Sequence, residues 1–379
     1  MTLKVVISGV NLIEGGPLEV FKDCIRAFLA VKKISLVCLV NSGDLFEEFS
    51  PAAVTFLEFP AVKKNWLNRI RFEYFSAKAL SRELQADIWL SMHDISPRVV
   101  AKKQYVYCHN PSPFYKSTLQ DFLLDKKFFL FTYLYGYLYR LNIKSNSAVI
   151  VQQAWMAPFF KDLLSSPRVW VAQPTQQSLA TNDTIEVPQQ INTSCVSFFY
   201  PALPRSFKNF EVIFRALKIL SQDDPAYLNR VKVLVTISGN ENNYARWLRQ
   251  EFGDLPAIVW LGRMSRDEVD AHYKNSDVVV FPSRLETWGL PISEAKALGK
   301  PLLLADLPYA HETLGDYSAA CFFDPLNARN LAEKIVKIIN GEHLFDTVSY
   351  LPYTDVLFLN SWDKLVSKIV EESEVGLRI

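Results

Sequence analysis

Val278-Val279-Val280-Phe281 followed by Pro282-Ser283-Arg284-Leu285-Glu286-Thr287-Trp288-Gly289-Leu290-Pro291-Ile292-Ser293-Glu294-Ala295 is the stretch on which the reading of this chain turns. The β-branched run ends at Pro282 and reads as a buried parallel strand. Pro291 has the fixed φ and missing N–H that suit a first helical turn. Strand, short loop and helix in that order form the repeating unit of a parallel α/β sheet. Glu286 then lies in the strand-to-helix loop and Glu294 in the first turn of the helix. The amides of Trp288, Gly289 and Leu290, next to Thr287, point out of the helix N-terminus, where unpaired donors and the helix dipole make an anion site. Gly289 leaves room for a ligand to approach the backbone. A phosphate there, with one carboxylate before it and one beyond it, suits a sugar nucleotide, because carboxylates accept hydrogen bonds from vicinal hydroxyls. The dipole alone favours a glutamate at a helix start, so the whole string, rather than either acid, carries the reading.

Outward from this unit the same alternation extends in both directions. In the first half Leu3 to Ser8 reads as a strand, a loop with Gly15-Gly16 follows, and Pro17 opens a helix to about Leu29. Ile34 to Val40, Val54 to Phe59, Ile88 to Ser91, Tyr105 to Cys108, Ala148 to Val151 and Val169 to Ala172 are further strands. Long helices are expected from Trp66 to Leu84 and from Leu119 to Arg140. The texture then turns polar and rich in turn formers, which marks a linker over 176–193. Strands resume at Cys195 to Tyr200, Val231 to Ile237, Ile258 to Leu261, Val278 to Phe281, Leu302 to Ala305 and Ala320 to Phe323. The expected organisation is a first Rossmann-like domain over 1–175, a second over 194–359, and a terminal helix over 360–379. Two doubly wound parallel sheets of this kind, facing across a cleft, bind ligands outside the C-terminal ends of their strands.

Length and composition agree. At 379 residues the chain exceeds the size at which one core stops growing, and a hydrophobic fraction of 49% supplies two cores. With 41 basic against 40 acidic residues, no global field recruits nucleic acid or a membrane, and local basic residues would have to do that work. Five scattered cysteines, Cys24, Cys38, Cys108, Cys195 and Cys321, lack the close pairs of a zinc site and point to reduced thiols in a cytoplasmic protein. The N-terminus has no charged n-region, long apolar core or cleavage site, so export is not expected. No apolar stretch reaches the roughly 18 residues of a transmembrane helix.

Proline-serine, Glu286, Trp288-Gly289-Leu290-Pro291 and Glu294, in this order after a valine run, resemble the retaining glycosyltransferases of family four (glycosyl transferases group 1), which have the two-domain GT-B fold. The resemblance is specific over about residues 195–340 and looser in the first half. It implies that the terminal helix over 360–379 crosses back to the first domain, that Glu294 holds the ribose of the donor nucleotide and that Glu286 touches the transferred sugar. In similar enzymes a Gly-rich loop at the place of Gly15-Gly16 approaches the donor phosphates, and a His after a first-domain strand contacts the donor sugar. That role falls on His109, after Tyr105-Val106-Tyr107-Cys108, with His93 a rival at another strand end. Many members have a Gly-Arg pair and a later Lys that grip the diphosphate. Here Ala202-Leu203 replace the pair, Lys208 remains, and Arg205 stands nearby in a different register. Base recognition would fall near Trp260-Leu261-Gly262-Arg263.

The resemblance implies transfer with retention of anomeric configuration, with Lys208, Arg205 and the helix-end amides stabilising the departing diphosphate. No cofactor or divalent metal is then expected, and no Asp-x-Asp occurs. The implied partners are a nucleotide-sugar donor, a GDP-mannose type being preferred over a UDP-sugar, and a saccharide or lipid-linked saccharide acceptor of bacterial surface polysaccharide. A non-catalytic nucleotide-sugar sensor and a GT-B epimerase are the alternatives. The aromatic segment Lys126 to Arg140, with cations at both ends, reads either as domain core or as a peripheral contact with the inner face of the membrane.

Overall fold

The computed structural model describes residues 2–164, 168–173, 194–342, 353 and 355–375. The linker expected over 176–193 lies outside the described residues. The chain divides into two compact units, one of Met1–Asn110, Leu134–Gln176 and Tyr353–Ile379, the other of Pro111–Tyr133 and Gln177–Pro352.

In the first unit β1 (Leu3–Ser8) leads through α1 (Gly15–Leu29) to β2 (Ile34–Val40) and β3 (Val54–Glu58). The chain then passes through α2 (Trp66–Arg71), a π turn (Phe72–Ser76) and α3 (Ala77–Glu83) to β4 (Ile88–Ser91) and β5 (Lys103–Cys108). After α4 (Leu119–Leu124) and α5 (Lys126–Arg140) come β6 (Ala148–Val151), α6 (Ala157–Leu164) and β7 (Val169–Ala172). Both long helices expected here are interrupted. The π turn divides the first, and the second stops at Asp125, whose side chain accepts from the Phe128 amide at 3.0 Å and so caps a new helix. Gly15 and Gly16 open α1 rather than forming a loop before it, with Gly15 at φ +68°, where a side chain would be strained.

The second unit alternates β8 (Val196–Tyr200), α7 (Phe210–Asp223), β9 (Val231–Val235), α8 (Asn243–Phe252), β10 (Ile258–Trp260) and α9 (Arg266–Asn275). It continues with β11 (Val278–Phe281), α10 (Leu290–Ala297), β12 (Leu302–Ala305), α11 (Pro308–Leu314), β13 (Ala320–Phe323) and α12 (Ala328–Ile339). The chain then supplies β14 (Leu357–Leu359) and α13 (Trp362–Val375) to the first unit.

Sheet order is β14-β7-β6-β5-β4-β1-β2-β3 in the first unit and β10-β9-β8-β11-β12-β13 in the second. Every pairing is parallel, for example Val5 beside Leu36 and Val279 beside Leu302. In each sheet the chain starts near the middle, winds to one edge and returns to the other side of its first strand. The reversal falls between β1 and β4 and between β8 and β11, and at such points the loops splay apart to leave a crevice. The first sheet is buried on both faces. Phe21, Ile25 and Phe28 of α1 meet Trp362, Leu365 and Ile369 of α13 on one side, while Phe72 and Ala77 cover Val6 and Trp89 on the other.

Two boundaries differ from those expected. Residues 111–133 lie in the second unit, where Asp121 pairs with Arg284 at 3.0 Å and the rings of Phe128 and Phe207 lie 5.0 Å apart. The first unit resumes before 360, because β14 pairs with β7, Leu357 beside Trp170. Three residues are too few for a strand to declare itself by alternation. No helix among the described residues is long and apolar enough to cross a membrane.

Candidate functional site

At the reversal point of the second sheet two of its candidate residues, Lys208 and Glu286, meet. Tyr200 ends β8 and Phe281 ends the neighbouring β11. The loop after β8 turns tightly through Ser206–Lys208 and reaches Asn209 in the left-handed region at φ +58°. Asn209 is buried, and its side-chain amide donates to the carbonyls of Pro282 (3.1 Å) and Pro325 (2.8 Å), while the Tyr200 hydroxyl donates to the Lys208 carbonyl at 2.7 Å. These bonds fix the backbone from which Lys208 projects. The Lys208 ammonium pairs with the Glu286 carboxylate, both side chains mostly shielded, and lies 5.6 Å from the centroids of Phe207 and Phe281. A cation and an acid 78 residues apart thus share one point at the sheet's crevice.

The loop carrying Glu286 is anchored on its inner side. Ser283 is buried, its carbonyl accepts from the Tyr309 hydroxyl at 2.6 Å, and the Arg284 amide donates to the Phe207 carbonyl at 2.7 Å. Arg284 turns inward onto Asp121, which also accepts from the Tyr115 hydroxyl at 3.0 Å. Burial acts to raise the Asp121 carboxyl, yet the Arg284 guanidinium and the bonds from Thr118 and Tyr115 outweigh it and hold the group below its ordinary value.

Gly289 is the N-cap of α10 at φ +78° and makes no side-chain cap hydrogen bond. A Cβ there would lie 3.2 Å from Ile292 Cδ1 and 3.3 Å from Phe281 Cε1. The Trp288 indole donates to Ser293 Oγ at 3.0 Å, and its carbonyl accepts from the Thr313 hydroxyl. Gly289→Ala is expected to cost about 1–2 kcal/mol of stability from its left-handed backbone. Thermal unfolding checks this, and an unchanged melting temperature would show that the turn relaxes freely.

Glu294 departs from its expected place. The helix begins at Leu290, one residue before Pro291, so Glu294 falls beyond the first turn. Its carboxylate accepts from Arg266 Nη1 at 2.5 Å and from the buried Tyr273 hydroxyl at 2.8 Å. Arg266 and Tyr273, two turns apart on α9, were not singled out in the sequence; their spacing on one helical face was the available signal. Arg205 and Arg263 are both exposed, and Arg263 follows β10, the edge strand.

The first unit holds the remaining candidates. His109 follows β5, and Asp94 accepts from the amides of His109 (2.7 Å) and Asn110 (2.9 Å). Asp94 is itself held by the hydroxyls of Tyr135 (3.2 Å) and Tyr139 (3.1 Å), and its second oxygen is 3.7 Å from His109 Nε2. The rival His93 is fully buried at the sheet's reversal point, with Nε2 3.0 Å from Ser8 Oγ and Nδ1 3.3 Å from Arg69 Nη2. Burial, reinforced by the Arg69 cation, pushes its pKa well down, so the ring is neutral with Nδ1 accepting from Arg69 and Nε2–H donating to Ser8.

A fold of two all-parallel α/β sheets with these reversal points is the GT-B glycosyltransferase fold. The lipopolysaccharide outer core galactosyltransferase WaaB matches with a TM-score of 0.60 at 13% identity, over 99% of each chain. In sequence, residues 182–350 match the glycosyl transferases group 1 family. An uncharacterized glycosyltransferase, MJ1607, of Methanocaldococcus jannaschii is 24% identical over 173 residues, which span 45% of this chain and 43% of that protein. The O-antigen chain mannosyltransferase RfbU of Salmonella typhimurium is 29% identical over 119 residues, 31% of this chain and 32% of that protein. The chain thus spans less than half the length of these curated relatives.

Proposed function

We propose that the protein is a retaining, metal-independent glycosyltransferase of family four that moves a hexose or deoxyhexose from a nucleoside diphosphate to a saccharide or lipid-linked saccharide of a bacterial surface polysaccharide. The observation that carries this is the Lys208–Glu286 pair at the sheet's reversal point. In a sugar nucleotide the anomeric carbon is bonded directly to phosphate, so its recognition needs a cation and a hydroxyl acceptor side by side. With donor bound, phosphate takes Lys208 and sugar hydroxyls take Glu286, exchanging one ion pair for two interactions. As the glycosidic bond breaks, Lys208 and the amides at the start of α10 stabilise the charge on the leaving diphosphate, so residues of the chain do the work a metal would do elsewhere. Glu294, oriented by Arg266 and Tyr273, receives the ribose hydroxyls, and His109 faces the donor sugar. The donor is taken to be of the GDP-mannose type rather than a UDP-sugar, and the O-antigen chain mannosyltransferase among the relatives supports mannose as the sugar. The acceptor is met at the inner face of the membrane, with the aromatic helix α5 in peripheral contact.

The test is thermal unfolding with GDP, UDP, ADP and CMP, since a ligand at about 100 times its Kd adds roughly 2.7 kcal/mol. One diphosphate should raise the melting temperature, and its sugars should then be transferred in the presence of EDTA with the donor's anomeric configuration kept. Tight nucleotide binding without transfer would favour the sensor; donor consumption without acceptor, an epimerase; an inverted product would overturn retention.

A further inference from the structure

The first sheet bears a second concave surface, at the end away from its reversal-point crevice. A cavity of about 750 Å³ lies between the starts of four adjacent strands and the last turns of α13. It is lined by Lys103, the first residue of β5, by Ser147 and Arg168, which directly precede β6 and β7, and by Leu357, which opens β14. From α13 come Lys368, Glu371 and Glu372, whose i, i+3, i+4 spacing sets them on one helical face. Gly15, Gly16 and His109 follow strand ends at the other side of this sheet. The six residues of β5 alone put about 16 Å of backbone between Lys103 and the end that His109 follows.

Trp170 completes the wall. It is 5% exposed, its ring centroid lies 5.5 Å from that of Tyr105, and its indole N–H has no hydrogen-bond partner among the described residues. A buried indole N–H ordinarily finds an acceptor. Lys103 is half-buried, and its ammonium likewise makes no ion pair or hydrogen bond among those residues. Other groups are already oriented. The Tyr105 hydroxyl donates to Glu372 at 3.4 Å, the Lys368 ammonium lies 3.7 Å from the same carboxylate, and the Arg168 guanidinium donates to the Asn146 carbonyl at 3.1 Å.

These groups select among ligands. Three cations against two carboxylates favour an anion, yet a bare anion would be opposed by Glu371 and Glu372. A neutral apolar molecule would leave the cavity's charges without partners. A sugar ring bearing one anionic group answers all of them: its anion takes Lys103 and Arg168, its hydroxyls donate to the two glutamates, and one of its oxygens accepts from the Trp170 indole. A cavity of this volume falls within the range of small-molecule sites. We propose that it binds an anionic saccharide, one carrying a phosphate or a carboxylate, held through Lys103 and Arg168. All of its lining residues belong to the first unit, so the proposal does not depend on the donor reading of the second.

The whole chain is titrated calorimetrically with glucose, glucose-6-phosphate, glucuronate and inorganic phosphate, so that ring and anion vary separately. Glucose-6-phosphate or glucuronate is expected to bind tenfold or more tighter than glucose and than phosphate, and the tighter of the two identifies the anion. Lys103→Gln/Arg168→Gln is expected to weaken that binding about tenfold or more with an unchanged melting temperature, because two charge-assisted bonds are lost. Lys208→Ala, in the second unit, should leave it unaltered. Should the double variant fail to fold, tryptophan fluorescence decides: the bound sugar changes the signal of the natural chain, and Trp170→Phe loses the change. Binding of neither anionic sugar overturns the proposal, as does glucose or phosphate alone binding as tightly. Undiminished affinity in the double variant, or a fluorescence change that persists in Trp170→Phe, overturns it too. Loss of binding in Lys208→Ala with retention in the double variant would assign the sugar to the donor site and overturn it as well.

Discussion

Lys208→Ala lowers kcat/KM for sugar transfer by roughly 10³-fold, the size of effect expected when a preorganised charge facing a developing anion is removed. Two losses add here. The leaving diphosphate loses its cation, and Glu286, shielded and paired with Lys208, is left as an uncompensated negative charge where phosphate must bind. The second loss can be separated from the first. In Lys208→Ala/Glu286→Gln the repulsion is gone, so nucleotide affinity recovers while turnover does not. Steady-state kinetics with a parallel nucleotide titration distinguishes the two, and a Lys208→Ala enzyme within tenfold of the natural one would remove Lys208 from the reaction.

Glu73→Gln is expected to stabilise the protein increasingly as pH rises from 5 to 8. Glu73 lies in the π turn, fully buried, 3.4 Å from His93 Nδ1 and 3.9 Å from Arg69 Nε, and neither carboxylate oxygen has a hydrogen-bond partner. Burial pushes its pKa up to about 8 against the opposing pull of Arg69. An acid whose pKa is raised on folding contributes stability that is full below its ordinary value, near 4.5, and is lost as pH climbs to about 8. Over that window the loss amounts to roughly 4 kcal/mol. Glutamine keeps the neutral shape and removes the titration, so the two proteins should unfold alike at pH 5 and diverge toward pH 8. Parallel curves from pH 5 to 8 would mean that Glu73 is ionised throughout.

Apart from β14, the strands were legible to within about two residues because parallel strands buried on both faces are unbroken apolar runs, as in Val278–Phe281 and Leu302–Ala305. Lys208 and Glu286 were each visible beside a strand end, but that they touch depends on β8 and β11 being neighbours, and non-local pairing is not written in local pattern. Asp94 and Arg284 were hidden for another reason. Each works inward, gathering backbone amides, tyrosines or a carboxylate from distant segments, and a charged residue beside a proline or a strand end reads as solvated until its partners arrive. The same holds for His93: its sequence setting at a strand end matches that of His109, and only its burial against Ser8 and Arg69 sets it apart.

The interleaving of the two units also governs how the chain is made. Residues 111–133 leave the ribosome before any strand of the sheet they pack against, and Asp121 must wait for Arg284. Conversely, β14 and α13 complete the first sheet and its core after the whole second unit has been synthesised. Sequential folding, one unit finished before the next begins, is therefore closed to this protein. Until β14 arrives, the backbone of β7 is an open sheet edge, and the apolar face of α1 lacks α13. Between the synthesis of β7 and that of β14 and α13, the growing chain therefore exposes both an unpaired strand edge and an uncovered apolar helix face.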